Sequence, residues 1–347
     1  MKAVTPHAAP EHGGPDALGV PLHDFSTNAN ACGPSPQALA ALQAADVVRY
    51  PDPAYTALRE RLGTFHGVAP ERIVIAASAS EFIHRVTALA AQRGVQVALL
   101  PAHSYGDYAR AAQAWGLRVD RAGQGDEGSD AGPVLHWACE PSSPLGRADP
   151  ALDADGCAPA AGWQVIDCAY RPLSLHAAPR PCPPGAWQLW TPNKALGLTG
   201  VRAAYAIAPE GDAAAADAAA LQRLAPSWPL GAHGVALLQA WAEPATQQWL
   251  AATRHTLGEW KAAQAALCAE LGWAVLPGSL ANYFTARLPQ ACAHDVPALL
   301  AALRAQGIKL RDCASFGLPG CVRLGVLPPA SQAALRAAWP HCVENLA

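Results

Sequence analysis

The segment TPNKALGLTGVR, residues 191–202, contains the most chemically suggestive residues of the chain. Lys194 follows a predicted strand, with the Thr191 hydroxyl three residues before it and the Arg202 guanidinium eight residues after it. A neutral lysine amine attacks carbonyl carbon, and a semi-enclosed site favours that neutral form. A hydroxyl and an arginine beside it make an anion site suited to a phosphate. Alone, K-x-L-G is also the pattern of a solvated loop lysine, so the decision rests on the rest of the chain.

Upstream, VIDCAYRPL puts Asp167 at the end of an apolar run with Tyr170 three residues later. A carboxylate at the C-terminal end of a strand in an open α/β sheet sits where ligands bind. It is suited to keep a pyridine nitrogen protonated, which turns the ring into an electron sink; the alternative is an ordinary helix-capping or turn aspartate. ASASEFIHRV runs from a strand into a helix that begins near Ser80, where first-turn amides and the helix dipole favour a phosphate. Its plain reading is a strand-to-helix turn with Ser80 and Glu81 capping. PAHSYGDY sets Tyr105 just after another strand, where its ring is placed to stack on a flat ligand or to fill the core.

The elements that must hold these residues alternate between apolar β-rich runs and amphipathic helical runs. Strands are predicted at 73–76, 95–100, 133–138, 163–167, 187–191 and 201–208, with helices at 80–92 and 105–115. That alternation is the pattern of a mostly parallel sheet covered by helices on both faces. After about residue 225 come alanine-rich helical stretches over 233–270, a helix near 296–306, and short strands at 273–277, 282–287, 308–312 and 321–326. The fold class is therefore α/β with a smaller α+β domain. The expected division is an N-terminal arm over 1–40, a large domain over 41–230 and a small domain over 231–347. The Gly-, Pro- and Asn-rich arm is expected to drape over the small domain or a partner subunit, and 211–224 reads as a surface helix.

Composition narrows the function classes. The chain has 347 residues, and 24 Lys plus Arg against 27 Asp plus Glu leave no basic surface for nucleic acid. No window approaches the roughly 18 apolar residues of a membrane span. The ten cysteines show no C-x-x-C spacing, which suits mostly buried thiols in a reducing cytoplasm. The 12 histidines show no H-E-x-x-H, so no metal site is expected.

The order and spacing of Tyr105, Asp167, Tyr170, Thr191, Lys194 and Arg202 resemble the fold-type I pyridoxal-phosphate enzymes, the aspartate aminotransferase superfamily, across nearly the whole chain. HGG at 12–14, DFSTNANACGP at 24–34, RYPDPAY at 49–55, ANYFTARL at 281–288, LRDCASFGL at 310–318 and CVRLGV at 321–326 resemble the L-threonine-O-3-phosphate decarboxylases of cobalamin synthesis, neighbours of the histidinol-phosphate aminotransferases. The resemblance implies pyridoxal 5'-phosphate as cofactor, Lys194 as its Schiff-base lysine and Asp167 as the partner of its ring nitrogen. Tyr170 would bond the phenolic oxygen and Tyr105 would stack on the ring. Ala79 and Ser80, with Thr191 and Arg202, would hold its phosphate. Arg323, Arg311, His12 and Asn28 would bind a small phosphorylated amino acid, and Tyr50 would reach across a homodimer into a shared site. The expected reaction is decarboxylation of threonine phosphate, with a histidinol-phosphate-type aminotransferase and a non-catalytic binding or scaffold protein as alternatives.

Two departures stand out. The usual NPNNPTG reads EPSSPLG here, so Ser143 occupies the place of an asparagine, and the helix-opening glycines are Ala76, Ala77 and Ser78.

Overall fold

The computed structural model describes residues 12–123, 132–153, 162–175, 180–292 and 295–344. Along the chain these form strand His23–Asp24 (β1), helices Pro36–Gln43 (α1) and Thr56–His66 (α2), then strand Ile73–Ala76 (β2), helix Ala79–Gln92 (α3) and strand Val97–Leu100 (β3). Helix Gly106–Ala114 (α4) leads into strands Arg118–Arg121 (β4), Val134–Cys139 (β5), Gly162–Asp167 (β6), Trp187–Trp190 (β7) and Ala204–Ile207 (β8). Helices Asp212–Leu224 (α5), Ala232–Trp241 (α6) and Pro244–Glu270 (α7) follow. The last stretch holds strands Ala274–Val275 (β9) and Tyr283–Arg287 (β10), helix Val296–Ala305 (α8), strands Ile308–Lys309 (β11), Arg311–Asp312 (β12) and Cys321–Gly325 (β13), and helix Pro329–Glu344 (α9).

β2 to β8 make one sheet in the order β2-β8-β7-β6-β5-β3-β4. Only β8 runs antiparallel to its neighbours. The inner strand β8 is buried along its length, and so is β2 although it ends the sheet, which is why AYAI and IVIA read as unbroken apolar runs. β4, with sequence RVDR, lies at the edge, where charged side chains are tolerated and protect the strand from further pairing. It lacks an apolar signature and is absent from the predicted strands for that reason.

A second sheet, antiparallel and ordered β12-β13-β10-β9, packs beside the long helix α7. The expected helical stretch over 233–270 divides between α6 and α7, because Pro244 opens α7 and has no N–H to continue a helix arriving from α6. Along α7, Leu250, Thr253, Leu257, Lys261, Gln264 and Cys268 recur at three- and four-residue spacing and form its buried face. The expected strand 308–312 is likewise two strands in two sheets. β11 pairs in parallel with β1 of the N-terminal segment, whereas β12 pairs with β13. The described part of the N-terminal arm therefore lies against the C-terminal third, where Asp16 makes ion pairs with Arg304 and Lys309 and Phe25 is buried among Leu299, Leu303 and Leu324. Residues 1–11 of that arm lie outside the described residues.

Candidate active site

A cavity of about 690 Å³ opens at the C-terminal ends of the parallel strands, walled on its far side by β12, β13 and the strap around residues 12–28. Except for Tyr50, every candidate residue of the sequence lines this cavity.

Lys194 sits on the turn after β7, and its Nζ lies 5.1 Å from the centre of the Tyr170 ring. The turn is held by its own carbonyl, which accepts from the amides of Asn30 at 2.9 Å and Gly197 at 3.2 Å. Gly197, the glycine of the K-x-L-G pattern, has φ +68°, and a β-carbon there would come within 2.6 Å of the Gly33 carbonyl oxygen. Both the left-handed backbone and the close approach require glycine.

Asp167 ends β6 and is buried. Burial raises its carboxyl above the usual aspartate range, against the opposing bonds from the Tyr108 hydroxyl at 2.7 Å and the Ala169 amide at 2.9 Å and the nearby Lys194 charge. Tyr108 is absent from the candidates read in the sequence. Its signal is the spacing of three from Tyr105, which puts both rings on the same side of α4.

The α3 N-terminus faces the same cavity. Its capping residue is Ser78, not Ser80 as the sequence reading has it. The Ser78 side chain accepts from the Glu81 amide at 3.1 Å, while the Glu81 carboxylate accepts from the Ala77 amide at 3.1 Å and pairs with Arg85 at 2.9 Å. The first-turn amides of Ala79 and Ser80 have no carbonyl one turn earlier to bond, so they present donors to an anion. Ser80 Oγ lies 3.3 Å from the Tyr105 hydroxyl, whose titration is pushed up by burial. Thr191 is buried, bonded to Asn193 Oδ1 at 3.0 Å, and Arg202 is exposed at the rim.

On the far wall Arg323 is buried, donating to Ser143 Oγ at 3.2 Å and to the Ser26 carbonyl at 3.0 Å. Arg311 is also buried, donates to Ser315 Oγ at 2.8 Å and lies over the Phe316 ring. Ser26 Oγ accepts from the Gly14 amide at 2.9 Å. A β-carbon on Gly13 would meet the Ser26 carbonyl oxygen at 2.2 Å, so the HGG strap lies as close as glycine allows. His12 reaches the cavity with its ring 6.3 Å from that of Tyr105. Asn28 donates to the Tyr170 hydroxyl at 3.3 Å. Tyr50 is not brought to this cavity; it is 79% exposed and stacks on Trp228 beside a separate cavity of about 580 Å³.

The model of the family "Aminotransferase class I and II" matches residues 190–339. Histidinol-phosphate aminotransferase 2 of Burkholderia mallei is 32% identical over 315 residues, covering 85% of this chain and 84% of that protein. The chain belongs to the class I and II aminotransferase family. Histidinol-phosphate aminotransferase of Paramagnetospirillum magneticum is 29% identical over 87% of this chain and 86% of its own length. Among solved structures, the Sinorhizobium meliloti histidinol-phosphate aminotransferase in complex with pyridoxal-5'-phosphate superposes with TM-score 0.77 at 22% identity, covering 92% of this chain and 90% of that one. The L-threonine-O-3-phosphate decarboxylase of Porphyromonas gingivalis superposes with TM-score 0.71 at 20% identity, covering 92% and 99%.

These relatives correct the expected reaction: histidinol-phosphate aminotransferases, not decarboxylases, share the higher identity with this chain. The physical reason is specific. The motifs behind the earlier expectation bind anions and shape the cavity, tasks that amino transfer and decarboxylation share. None of them sets which bond of the substrate stands perpendicular to a cofactor ring.

The donor set fits pyridoxal phosphate. The lining combines the Lys194 amine and the Asp167 carboxylate with the first-turn amides of α3, the Thr191 hydroxyl and the Arg202 guanidinium. Two buried polar atoms of the wall, Asn28 Oδ1 and Arg323 Nε, have no hydrogen-bond partner among the described residues. Each such atom costs about 1–3 kcal/mol unless a ligand satisfies it.

Proposed function

We propose that this protein is a pyridoxal-phosphate-dependent aminotransferase acting on a small phosphorylated amine of the histidinol-phosphate type. The observation that carries the reading is the facing arrangement of Lys194 and Asp167 against the buried arginines Arg311 and Arg323 across one cavity, in a chain 32% identical to a histidinol-phosphate aminotransferase. When bound, pyridoxal phosphate supplies the electron sink and stores the amino group between two half-reactions.

The chain's own residues do the rest. Lys194 would hold the cofactor through its amine, and the same amine, facing the cavity, would carry a proton to and from the substrate carbon as base and acid. Asp167 holds the positive charge of the ring nitrogen. The Ala79 and Ser80 amides, Thr191 and Arg202 would hold the cofactor phosphate, and Tyr105 would pack against the cofactor. The Tyr170 oxygen accepts from Asn28, which leaves its proton free to be donated to the cofactor's phenolic oxygen when that group is bound. Ser143, whose oxygen accepts from Arg323, keeps its proton to donate on the same side. Arg323 and Arg311, with His12 and Asn28 beside them, fix the anionic end of the substrate and thereby the angle of the reacting bond.

The protein works as a homodimer in which Tyr50 of one subunit completes the site of the other, in a reducing cytoplasm where its thiols stay free. No described helix is long and apolar enough to cross a membrane. The test is to load the protein with pyridoxal phosphate and add histidinol phosphate and a 2-oxo dicarboxylic acid. Formation of the amino acid from the acceptor supports the reading. Failure to transfer the amino group, with or without release of CO2 from a phosphorylated amino acid, overturns it.

A further inference from the structure

Tyr108 lies on α4, fully buried in the core cluster that includes Phe82, Ile83, Leu135 and Trp137. A phenylalanine would fill that cluster equally well and would carry no hydroxyl to desolvate. The hydroxyl is therefore to be explained by what it touches. Its oxygen is 2.7 Å from Asp167 Oδ2, and since a carboxylate only accepts, the tyrosine donates. The ring is stacked on Trp137 at 4.5 Å and 11° and meets Tyr105 edge-on at 5.8 Å, so it cannot swing away. The other carboxylate oxygen takes the Ala169 amide. One bond at each oxygen fixes the plane of the carboxylate.

We propose that Tyr108 is a positioning residue that holds the Asp167 carboxylate ionised and aimed into the cavity. This rests on the reading of Asp167 as the partner of the cofactor's ring nitrogen. Burial is the largest influence on Asp167 and disfavours its charge. The groups facing it are few. Cys139 of β5, Cys168 beside it and Tyr283 of β10 are all pushed up by burial and stay neutral. The Tyr108 hydroxyl is pushed up as well, so it remains a donor across the working range. Lys194 and the Ala169 amide are the other groups that favour the carboxylate. Removing the hydroxyl raises the titration of Asp167 further, and an acid held above its unfolded value loses native stability as pH rises.

Tyr108→Phe in cofactor-free protein tests this without any reaction. Urea denaturation at about pH 5 and about pH 8 should show the variant's deficit growing with pH. In an Asp167→Asn background that growth should vanish. A deficit equal at both pH values overturns the proposal. In the loaded enzyme, the acid limb of kcat should move to higher pH in Tyr108→Phe with little change in KM, and stay in place in Trp137→Phe, which keeps the hydroxyl. An unmoved limb in Tyr108→Phe overturns the proposal. Loaded wild-type protein that transfers no amino group sinks the proposed reaction, while the denaturation result still judges Tyr108.

Discussion

Lys261 shows how the wall of the cavity is anchored, and it yields a prediction with a worked size. The side chain leaves the middle of α7 and donates to the carbonyls of Ser279 and Ala281, each at 2.7 Å, and to Ser279 Oγ at 3.1 Å. Two residues past Ala281 is Tyr283, whose ring meets that of Tyr170 at 4.7 Å. The ammonium is buried, and burial lowers its titration from the usual 10.5 to about 8. A base held below its unfolded value is a charge the fold disfavours. The unfolded chain binds more protons between those two values, so stability rises with pH through that window. The full difference corresponds to about 3 kcal/mol, of which about 2 kcal/mol develops between pH 7 and 9.5.

Urea denaturation of cofactor-free wild type and Lys261→Met at those two pH values measures it. Tyrosines and cysteines also titrate there, but they are common to both proteins and cancel in the difference. The wild type should gain about 2 kcal/mol more than the variant on going to pH 9.5. Equal gains in the two proteins would refute the reasoning. The level at pH 7 is a separate matter, because Met removes a desolvated charge and also strips three acceptors of their donor.

Lys194→Ala should leave the melting temperature of cofactor-free protein within a few degrees and abolish covalent capture of pyridoxal phosphate by borohydride; retained capture counts against Lys194. Gly13→Ala should push the strap from Ser26, lose the bond from Gly14 to Ser26 Oγ and disturb the carbonyl that Arg323 uses. Loss of one or two such bonds, about 1–3 kcal/mol, gives a KM for the phosphorylated amine roughly ten- to a hundredfold higher. A KM unchanged while kcat falls would show that the strap serves another purpose. Mixing inactive Tyr50→Phe with inactive Lys194→Ala chains should restore part of the activity, since one site of a hybrid dimer keeps both residues. No restoration would place Tyr50 outside the partner's site.

The chemistry-bearing residues nearest the sheet were legible because they lie at strand ends in short connections, where linear spacing is nearly spatial spacing. Asp167 and Lys194 are of this kind. Arg311, Arg323, His12 and Asn28 came only through family resemblance, since no local periodicity tells that residues 12–28 and 311–323 face one another. Tyr108 is not legible because an aromatic on the inner face of a predicted helix reads as core, and nothing local shows that it meets Asp167, 59 residues away. The short helices α1 and α2 were missed as well; α2 buries little more than Leu58 and Leu62 and shows a weak apolar stripe. In α9, Pro340 interrupts the helical pattern near the end. The 308–312 segment reads as one strand because Ile308 and Leu310 alternate with Lys309 and Arg311, yet its halves serve two sheets.

The bonds that Arg323 makes to Ser26 and Ser143 also order events during synthesis. Ser26 and Arg323 are 297 positions apart, Asn28 and Asn282 are 254 apart, and Ser143 and Arg323 are 180 apart. Contacts of such separation form after local ones, because the connecting loop must first be closed. A chain leaving the ribosome with residues 73–207 in place has a sheet that can carry the cofactor cradle, but nothing opposite it. The N-terminal strap stays without its seat until residues 308–325 emerge. A nascent or C-terminally truncated chain would thus bring together Asp167 and Lys194 without Arg311 and Arg323 opposite them, so the two walls of the cavity are completed at different times.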